Sequence, residues 1–140
     1  LALRYRDKLG FYSSTVPAME QYTLSRFLSE GYFESHVNRM RNFYRARRDQ
    51  VIDAIRRSPL AGRYRISGED AGLHFLLTLD TAKSDRSLSE SAEHRGIRLS
   101  FLSDFQLTPG SASAHVLVIN YPGVELEYFA PALGVLAELL

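Results

Sequence analysis

The histidines of this chain are candidates for acid–base chemistry and for ligand or metal binding. The four of them, His36, His74, His94 and His115, are far apart in sequence and match no metal-binding or nucleophile motif. The ordinary expectation is that all four are structural or surface residues. If one lines a ligand site, His74 is the best candidate, because it begins a predicted central strand beside Gly72, where backbone can approach a ligand closely.

Amines and thiols are scarce. Of the 17 lysines and arginines only Lys8 and Lys83 are lysines, and cysteine is absent. Few groups are therefore available for Schiff-base chemistry, while disulfides, zinc-thiolate sites and a cysteine nucleophile are excluded. No nucleotide-binding loop or nucleophile elbow is present either. The residues themselves predict no catalytic group and no metal site.

A run of arginines could bind nucleic acid; it consists of Arg39, Arg41, Arg45, Arg47 and Arg48. Acidic residues are interleaved with it, however, and the net charge of the whole chain is only +1. A surface that tracks phosphates would carry a larger uncompensated charge. The run therefore predicts a solvated helix face, on which Arg45, Asp49, Asp53 and Arg57 are spaced for ion pairing.

The first half of the chain has the pattern of two helices. Thr15 as a cap and Pro17 in the first turn begin the first, which continues to Glu30 before Gly31 interrupts it. Apolar residues at steps of three and four predict a longer amphipathic helix over 33–57. Short strands and two more helices are expected to follow.

The second half combines strand patterns with those helices. The predicted strands are 63–66, 73–79, 97–102 and 115–121. The predicted helices are 84–95, capped by Ser84 and Asp85, and a C-terminal helix to Leu140 that Pro131 is expected to kink or shorten. This order predicts an α/β (α+β) fold, in which a small mixed or antiparallel sheet is covered by helices on one face.

Length and composition predict one domain over residues 1–140, with 45% hydrophobic residues and ample aromatic core material. No apolar run is long enough to span a membrane and no signal peptide is evident, so a cytoplasmic protein is expected. The sequence begins Leu1-Ala2-Leu3 without a methionine. We therefore expect it to be a fragment of a longer chain.

Several segments resemble one family. The stretch Glu30–Arg41, EGYFESHVNRMR, is the most specific, and Leu9–Gln21, Ala71–Phe75 and Gly96–Ser100 also match. The resemblance is to MocR-type regulators, in which a GntR-type winged-helix domain is fused to a class I/II aminotransferase-like domain of fold type I. It covers nearly the whole chain and implies the C-terminal small domain of such a protein.

The resemblance also implies cofactor and partners for the parent protein. These are pyridoxal 5′-phosphate, DNA bound through an N-terminal winged helix, a small amine or amino-acid effector, and a second copy of the chain in a homodimer. The aldimine lysine and the groups that hold the cofactor belong to the large domain of the family. Lys8 and Lys83 lack the matching surroundings, so no cofactor-binding residue and no activity are expected for the fragment alone.

One small-domain residue normally contributes to the site: an arginine in a pattern like Leu-Arg-Leu-Ser-Phe, which grips the substrate carboxylate. The corresponding segment here is Leu117–Tyr121, and Val118 stands where the arginine would be. Valine cannot bind a carboxylate. Arg98 on the neighbouring predicted strand is the candidate replacement, and His74 is expected to face the same substrate mouth.

Two alternative functions stay open at this level. One is the small domain of a metabolic class I/II aminotransferase, against which the valine argues. The other is an independent module that binds nucleic acid through its arginine-rich helix. Whichever holds, a domain built to pack on another should expose an apolar patch, for which the candidates are Tyr12, Val16, Phe101, Phe105 and Tyr121.

Overall fold

A computed structural model describes residues 2–10, 16–70, 72–107 and 113–140. They belong to two compact units, residues 1–41 and 42–140. The helices are α1 (Ala2–Leu9), α2 (Ala18–Ser29), α3 (Tyr32–Arg56), α4 (Asp85–His94) and α5 (Leu126–Leu139). The strands are β1 (Tyr64–Ser67), β2 (Phe75–Leu79) and β3 (Val116–Ile119), and 3-10 helices cover Leu102–Phe105 and Tyr121–Gly123.

The first unit contains α1, α2 and the start of α3. The sequence patterns did not predict α1, whose alanine, leucine, arginine and lysine residues favour helix. Pro17 lies at the N-cap of α2 rather than in its first turn, and Thr15 is outside the described residues. The predicted interruption at Gly31 is confirmed by its positive φ of 77°, a conformation that glycine adopts without steric cost.

Aromatic packing joins the two helices of this unit across that glycine. The ring of Phe27 stacks on Tyr32 at a centroid distance of 6.4 Å and meets the edge of Phe33 at 6.2 Å. An ion pair of 2.6 Å between Arg26 and Glu30 closes the last turn of α2. The corner between α2 and α3 is therefore held by side chains of the corner itself.

The second unit is built on a three-stranded antiparallel sheet in the order β1-β2-β3. The predicted central strand is confirmed: β2 pairs with β1 at Tyr64↔Leu79 and with β3 at Phe75↔Ile119. Its residues Phe75, Leu77 and Leu79 are buried and alternate with half-buried neighbours. This alternation is what a sheet with one core face requires.

Helices cover that core face. Val51 and Ile55 of α3, Leu88 of α4, and Leu133 and Leu136 of α5 pack with the buried residues of β2 in one hydrophobic cluster. Spacing of three or four residues along α3 and α5 puts these side chains on one stripe of each helix. The predicted fold class, a small sheet with helices on one face, is therefore observed.

The predicted strand at 97–102 is not present. Within the described residues only a single bridge, Phe101↔Leu117, and a hydrogen bond of 2.9 Å from the Val118 N–H to the Ser100 carbonyl join this segment to β3. Beyond the bridge, the Phe101 N–H, which points away from β3, donates to the Asp104 carboxylate at 2.9 Å, and a 3-10 helix begins at Leu102. The sheet consequently has three strands, and 97–101 lies beside it.

The helices of the second unit end largely as predicted. The Ser84 hydroxyl accepts a hydrogen bond from the Ser87 N–H, and Gly96 follows α4 with a φ of 77°. Pro131 does not shorten α5, which continues to Leu139, because Leu133 and Leu136 beyond the proline are buried. No helix among the described residues is long and apolar enough to span a membrane.

Candidate functional site

The sheet has a second face that the helices do not cover. Residues directly opposite each other in antiparallel strands share a face, so the pairs Arg65↔Thr78, Ser67↔Leu76 and Leu76↔Val118 define it. Arg65 and Ser67 are exposed, whereas Leu76, Thr78 and Val118 are half-buried. We call this surface the open sheet face. Its centre is largely apolar and its edge carries charge.

His74 lies at one end of the open sheet face, immediately before β2 rather than within it. Its side chain is exposed and has no hydrogen-bond partner among the described residues. The bend before it depends on Gly72, with a φ of 81°, where an added Cβ would lie 3.9 Å from the His74 ring. The Tyr121 hydroxyl donates a hydrogen bond of 2.7 Å to the Gly72 carbonyl and so anchors this bend to the core.

Arg98 lies on the other side of β3. Exposure alternates along its segment, with Arg98 and Ser100 exposed, Leu99 half-buried and Phe101 buried. Because Phe101 shares the core face with Leu117, Arg98 and Ser100 belong to the opposite side, the open sheet face. The Arg98 guanidinium makes no ion pair or hydrogen bond within the part of the chain that the structure describes.

Val118 is located between these two candidates. It pairs with Leu76 on β2, and its N–H bonds to the segment that carries Arg98. The segments that carry His74 and Arg98 lie on opposite sides of β3. Two strand spacings separate them, so the Cα atoms of His74 and Arg98 are roughly 10 Å apart. Both predicted site residues therefore lie on the face that presents Val118.

The other three histidines are occupied by structural contacts. His36 is 3.4 Å from an Arg39 nitrogen, and the His94 ring is 2.6 Å from the Glu90 carbonyl of its own helix. His115 is bonded through both its backbone N–H, at 2.9 Å, and its ring, at 3.1 Å, to the Asp85 carboxylate. His74 is thus the histidine with a ring free for a ligand among those described.

The Asp85 carboxylate is a feature that sequence patterns identified only as a helix cap. Its second oxygen accepts a hydrogen bond of 2.9 Å from the Ser103 hydroxyl, while the first holds His115. His115 has a φ of 61°, a conformation uncommon outside glycine and somewhat enriched in histidine. No local signal relates positions 85, 103 and 115, because the contacts are made only when the chain has folded.

Two members of the arginine run, Arg47 and Arg48, make contacts within the fold. Arg47 donates to the Val124 carbonyl, and Arg48 donates to the Glu69 carbonyl at 2.8 Å. The predicted pairing of Asp53 with Arg57 is observed at 2.5 Å, whereas Asp49 pairs with Arg48 and not with Arg45. These contacts fit the prediction of a salt-bridged helix.

A groove lies between α3 and α5 in the second unit. Ala54, Leu126 and Ala130 contribute to its lining, and the Asp53–Arg57 pair is on its rim. The charged groups on the rim of this groove already pair with each other.

Outside the groove and the open sheet face, the Glu90 carboxylate raises the pKa of the Arg86 guanidinium through a hydrogen bond and its charge. Arg86 is fully exposed.

Part of the predicted apolar patch is wrong. Phe101 is fully buried and Tyr121 is 4% exposed, because both pack in the core below the sheet. Val16 and Phe105 are exposed as predicted, at 48% and 70%, and Tyr12 lies outside the described residues. Sequence patterns do not separate these cases, because an aromatic at the end of a strand can face either side.

Two aminotransferase structures share the fold of this chain. LysN, the α-aminoadipate aminotransferase of Thermus thermophilus, matches 99% of this chain and 33% of its own, with a TM-score of 0.66 and 19% identity. Kynurenine aminotransferase of Pyrococcus horikoshii matches 81% of this chain and 28% of its own, with a TM-score of 0.65 and 20% identity. The fold is therefore that of an aminotransferase small domain.

Sequence relatives narrow the class. The chain is 33% identical to the uncharacterized HTH-type regulator YhdI of Bacillus subtilis, over 87% of the chain and 25% of that protein. It is 36% identical to YdeL of the same organism over 64% of the chain and 19% of YdeL. With the probable rhizopine catabolism regulatory protein MocR of Rhizobium meliloti the identity is 35%, over 75% of the chain and 21% of MocR.

The chain is thus homologous to HTH-type transcriptional regulators, MocR among them, and has an aminotransferase-like fold. It spans about a fifth to a quarter of the length of the curated relatives it matches. No protein-family model matches it.

Proposed function

We propose that this chain is the C-terminal small domain of a MocR/GntR-type regulator, and that its open sheet face forms one wall of the effector site. The homology to three HTH-type regulators supports the first part. The observation that carries the second is that His74 and Arg98, on either side of Val118, have side chains without partners among the described residues. Unpaired polar groups on one surface are what a ligand would use.

The proposed effector is a small amine or amino acid. Arg98 replaces the arginine that is absent at Val118 and holds the effector carboxylate by paired hydrogen bonds. His74 contributes a second polar contact from the other side of the face. The parent protein, in this proposal, is a cytoplasmic homodimer that binds DNA through a winged helix preceding the aminotransferase-like domain.

Pyridoxal phosphate in the parent is part of the proposal, but the residues of this chain do not fit a site for it. Lys83 donates its ammonium hydrogen to the Leu139 carbonyl at the end of α5, and Lys8 is exposed on α1, in the first unit. Neither amine lies on the open sheet face. We therefore assign the cofactor to the large domain and derive no step through it here.

Titration of the full-length regulator with its effector tests the site. Arg98→Ala is expected to weaken effector binding about tenfold or more, since a hydrogen-bonded charge pair is lost. Arg65→Ala is the matched control, because it removes the same charge from another edge of the same face. Equal affinity in wild type and Arg98→Ala would refute the proposed site.

A second experiment addresses the cofactor. The 140-residue chain is mixed with pyridoxal phosphate, reduced with borohydride and analysed by peptide mass spectrometry. No single lysine is expected to be modified stoichiometrically. A specific adduct at Lys8 or Lys83 would contradict the assignment of the cofactor to the large domain.

A further inference from the structure

The two ends of the open sheet face differ in their side chains. At one end, the sheet continues beyond the pair Phe75↔Ile119 with His74, which precedes Phe75, and Asn120, which follows Ile119. Continuing the antiparallel order by one residue puts them opposite each other, about 5 Å apart at the backbone. Extending the Phe101↔Leu117 bridge in the same antiparallel order places Arg98 on the other side of Asn120. We call His74, Asn120 and Arg98 the polar row.

Asn120 is the member of this row that no sequence pattern singled out. It occupies the N-cap of the 3-10 helix Tyr121–Gly123, where an asparagine side chain commonly accepts a hydrogen bond from the backbone. Here the side chain makes no capping bond and is exposed. Among the described residues its amide has no partner, so both its donors and its acceptor are available to a ligand.

An apolar row lies next to the polar row. Leu76 and Val118 pair directly across β2 and β3 and are half-buried, two residues along the strands from His74 and Asn120. Side chains two residues apart on one strand face the same side, roughly 7 Å apart. A ligand that reaches from one row to the other therefore meets a polar contact at one end and hydrocarbon at the other.

The charge of the open sheet face determines which polar group the ligand carries. The end of the open sheet face that carries the polar row has Arg98 and no acidic side chain among the residues that the strand pairing assigns to it. The carboxylate assigned to this face, Asp80, follows β2 at the opposite end, where its N–H bonds to the Arg63 carbonyl at 2.9 Å. Cations without a compensating carboxylate favour an anion. A planar carboxylate can accept hydrogen bonds from a guanidinium and an amide at the same time.

We infer that Asn120 is a further binding residue, and that the polar and apolar rows together take a small carboxylate with a hydrocarbon chain. The carboxylate accepts hydrogen bonds from Arg98 and Asn120, and the chain lies over Leu76 and Val118. This inference rests on the proposed function, because it assigns the ligand class of the same face. It adds a residue and an apolar requirement that the proposed function does not contain.

Nuclear magnetic resonance titration of the 140-residue chain tests the inference, with sodium hexanoate as the probe. Hexanoate is expected to shift the backbone signals of residues 74–76 and 117–120. Asn120→Ala is expected to weaken binding about tenfold, the value of one hydrogen bond to a charged group. Asn120→Asp, which keeps the shape but places a carboxylate beside the probe, is expected to weaken it further.

Matched controls separate the contributions of the ligand's charge, of its hydrocarbon chain and of the Asn120 side chain. Asn42→Ala removes an exposed asparagine from α3 and is expected to leave the affinity unchanged. Hexylammonium chloride has the same chain with the opposite charge, and inorganic phosphate has the charge without the chain; both are expected to bind at least about tenfold more weakly than hexanoate. Equal binding of either compound would overturn the ligand class.

The outcomes also separate this inference from the proposed function. If Arg98→Ala loses hexanoate and Asn120→Ala does not, the role of Asn120 is refuted while the proposed site stands. If neither variant changes binding, or wild type binds no hexanoate, the ligand class fails. The proposed site is then decided independently by the effector titration of Arg98→Ala in the full-length regulator.

Discussion

Removing the Tyr121 hydroxyl tests how the open sheet face is held to the core. The side chain is 4% exposed, stacks on Phe75 at 6.3 Å and donates a hydrogen bond of 2.7 Å to the Gly72 carbonyl. Tyr121→Phe keeps the ring and removes only that bond. Gly72 is exposed, so water can solvate its carbonyl in the variant. We expect a loss of about 1 kcal/mol in the free energy of unfolding.

Urea unfolding followed by far-ultraviolet circular dichroism measures this loss. The expected change corresponds to a decrease of about 3–5 °C in Tm for a chain of this size. Tyr121→Ala, which also removes the ring, is expected to cost about 3–5 kcal/mol. Tyr128→Phe is the control, because Tyr128 is 67% exposed and its hydroxyl has no partner among the described residues. An unchanged stability of Tyr121→Phe would refute the anchoring of the bend before His74.

Three further predictions concern stability and are tested by the same unfolding assay. Gly96→Ala is expected to lower the free energy of unfolding by about 1–2 kcal/mol, because Gly96 has a φ of 77°. Gly134→Ala, in a helix with open space around the added methyl, is expected to raise it by about 0.5–1 kcal/mol. A stabilising Gly96→Ala would contradict this reasoning. Arg47→Ala is expected to lower the free energy of unfolding by about 1 kcal/mol, because the Val124 carbonyl loses its donor. Arg41→Ala, at an exposed position, is expected to lower it by less than about 0.5 kcal/mol. Equal effects of the two substitutions would show that Arg47 is only a solvated charge. Asp85→Ala is expected to cost about 2 kcal/mol, since it leaves the His115 N–H and the Ser103 hydroxyl without their acceptor, and exposed Asp80→Ala serves as its control.

Features encoded locally were predicted well from the sequence. The cap at Ser84, the end at Gly96 and the position of β2 at the centre of the sheet all follow from short patterns that depend on neighbouring residues. A hydroxyl before a helix satisfies a free N–H, a glycine adopts positive φ, and a nearly continuous apolar run favours the position between two other strands. The fold class followed from the order of these elements.

Features that depend on distant partners were not predicted. The sequence 97–102 has the composition of a strand, yet among the described residues it joins β3 only through one bridge and one hydrogen bond before the 3-10 helix begins at Leu102. Tyr121 was assigned to the surface, but its hydroxyl finds a carbonyl 49 positions away and its ring is buried. No pattern within a few residues contains this information, because the choice between two faces of a sheet is made by the tertiary contacts.

The candidate site was predicted only in part for the same reason. Arg98 was singled out because it lies near the missing arginine in the expected strand order, and that proximity needs only the order of strands. Asn120 became a candidate only once its side chain was seen to leave the 3-10 helix uncapped. An asparagine before a turn is ordinarily a cap, so its sequence context favours the opposite interpretation.

The departures from the Leu-Arg-Leu-Ser-Phe pattern have related physical consequences. Val118 puts hydrocarbon opposite Leu76 where a guanidinium would otherwise be, which moves the nearest cation on the open sheet face to Arg98, a diagonal distance of about 7–8 Å away. Asn120 adds a donor between the two positions. Tyr121 adds the hydroxyl that fixes the bend carrying His74. In the proposed site, a carboxylate therefore lies nearer the end of the sheet than one held by an arginine at position 118, and its hydrocarbon extends back over the valine.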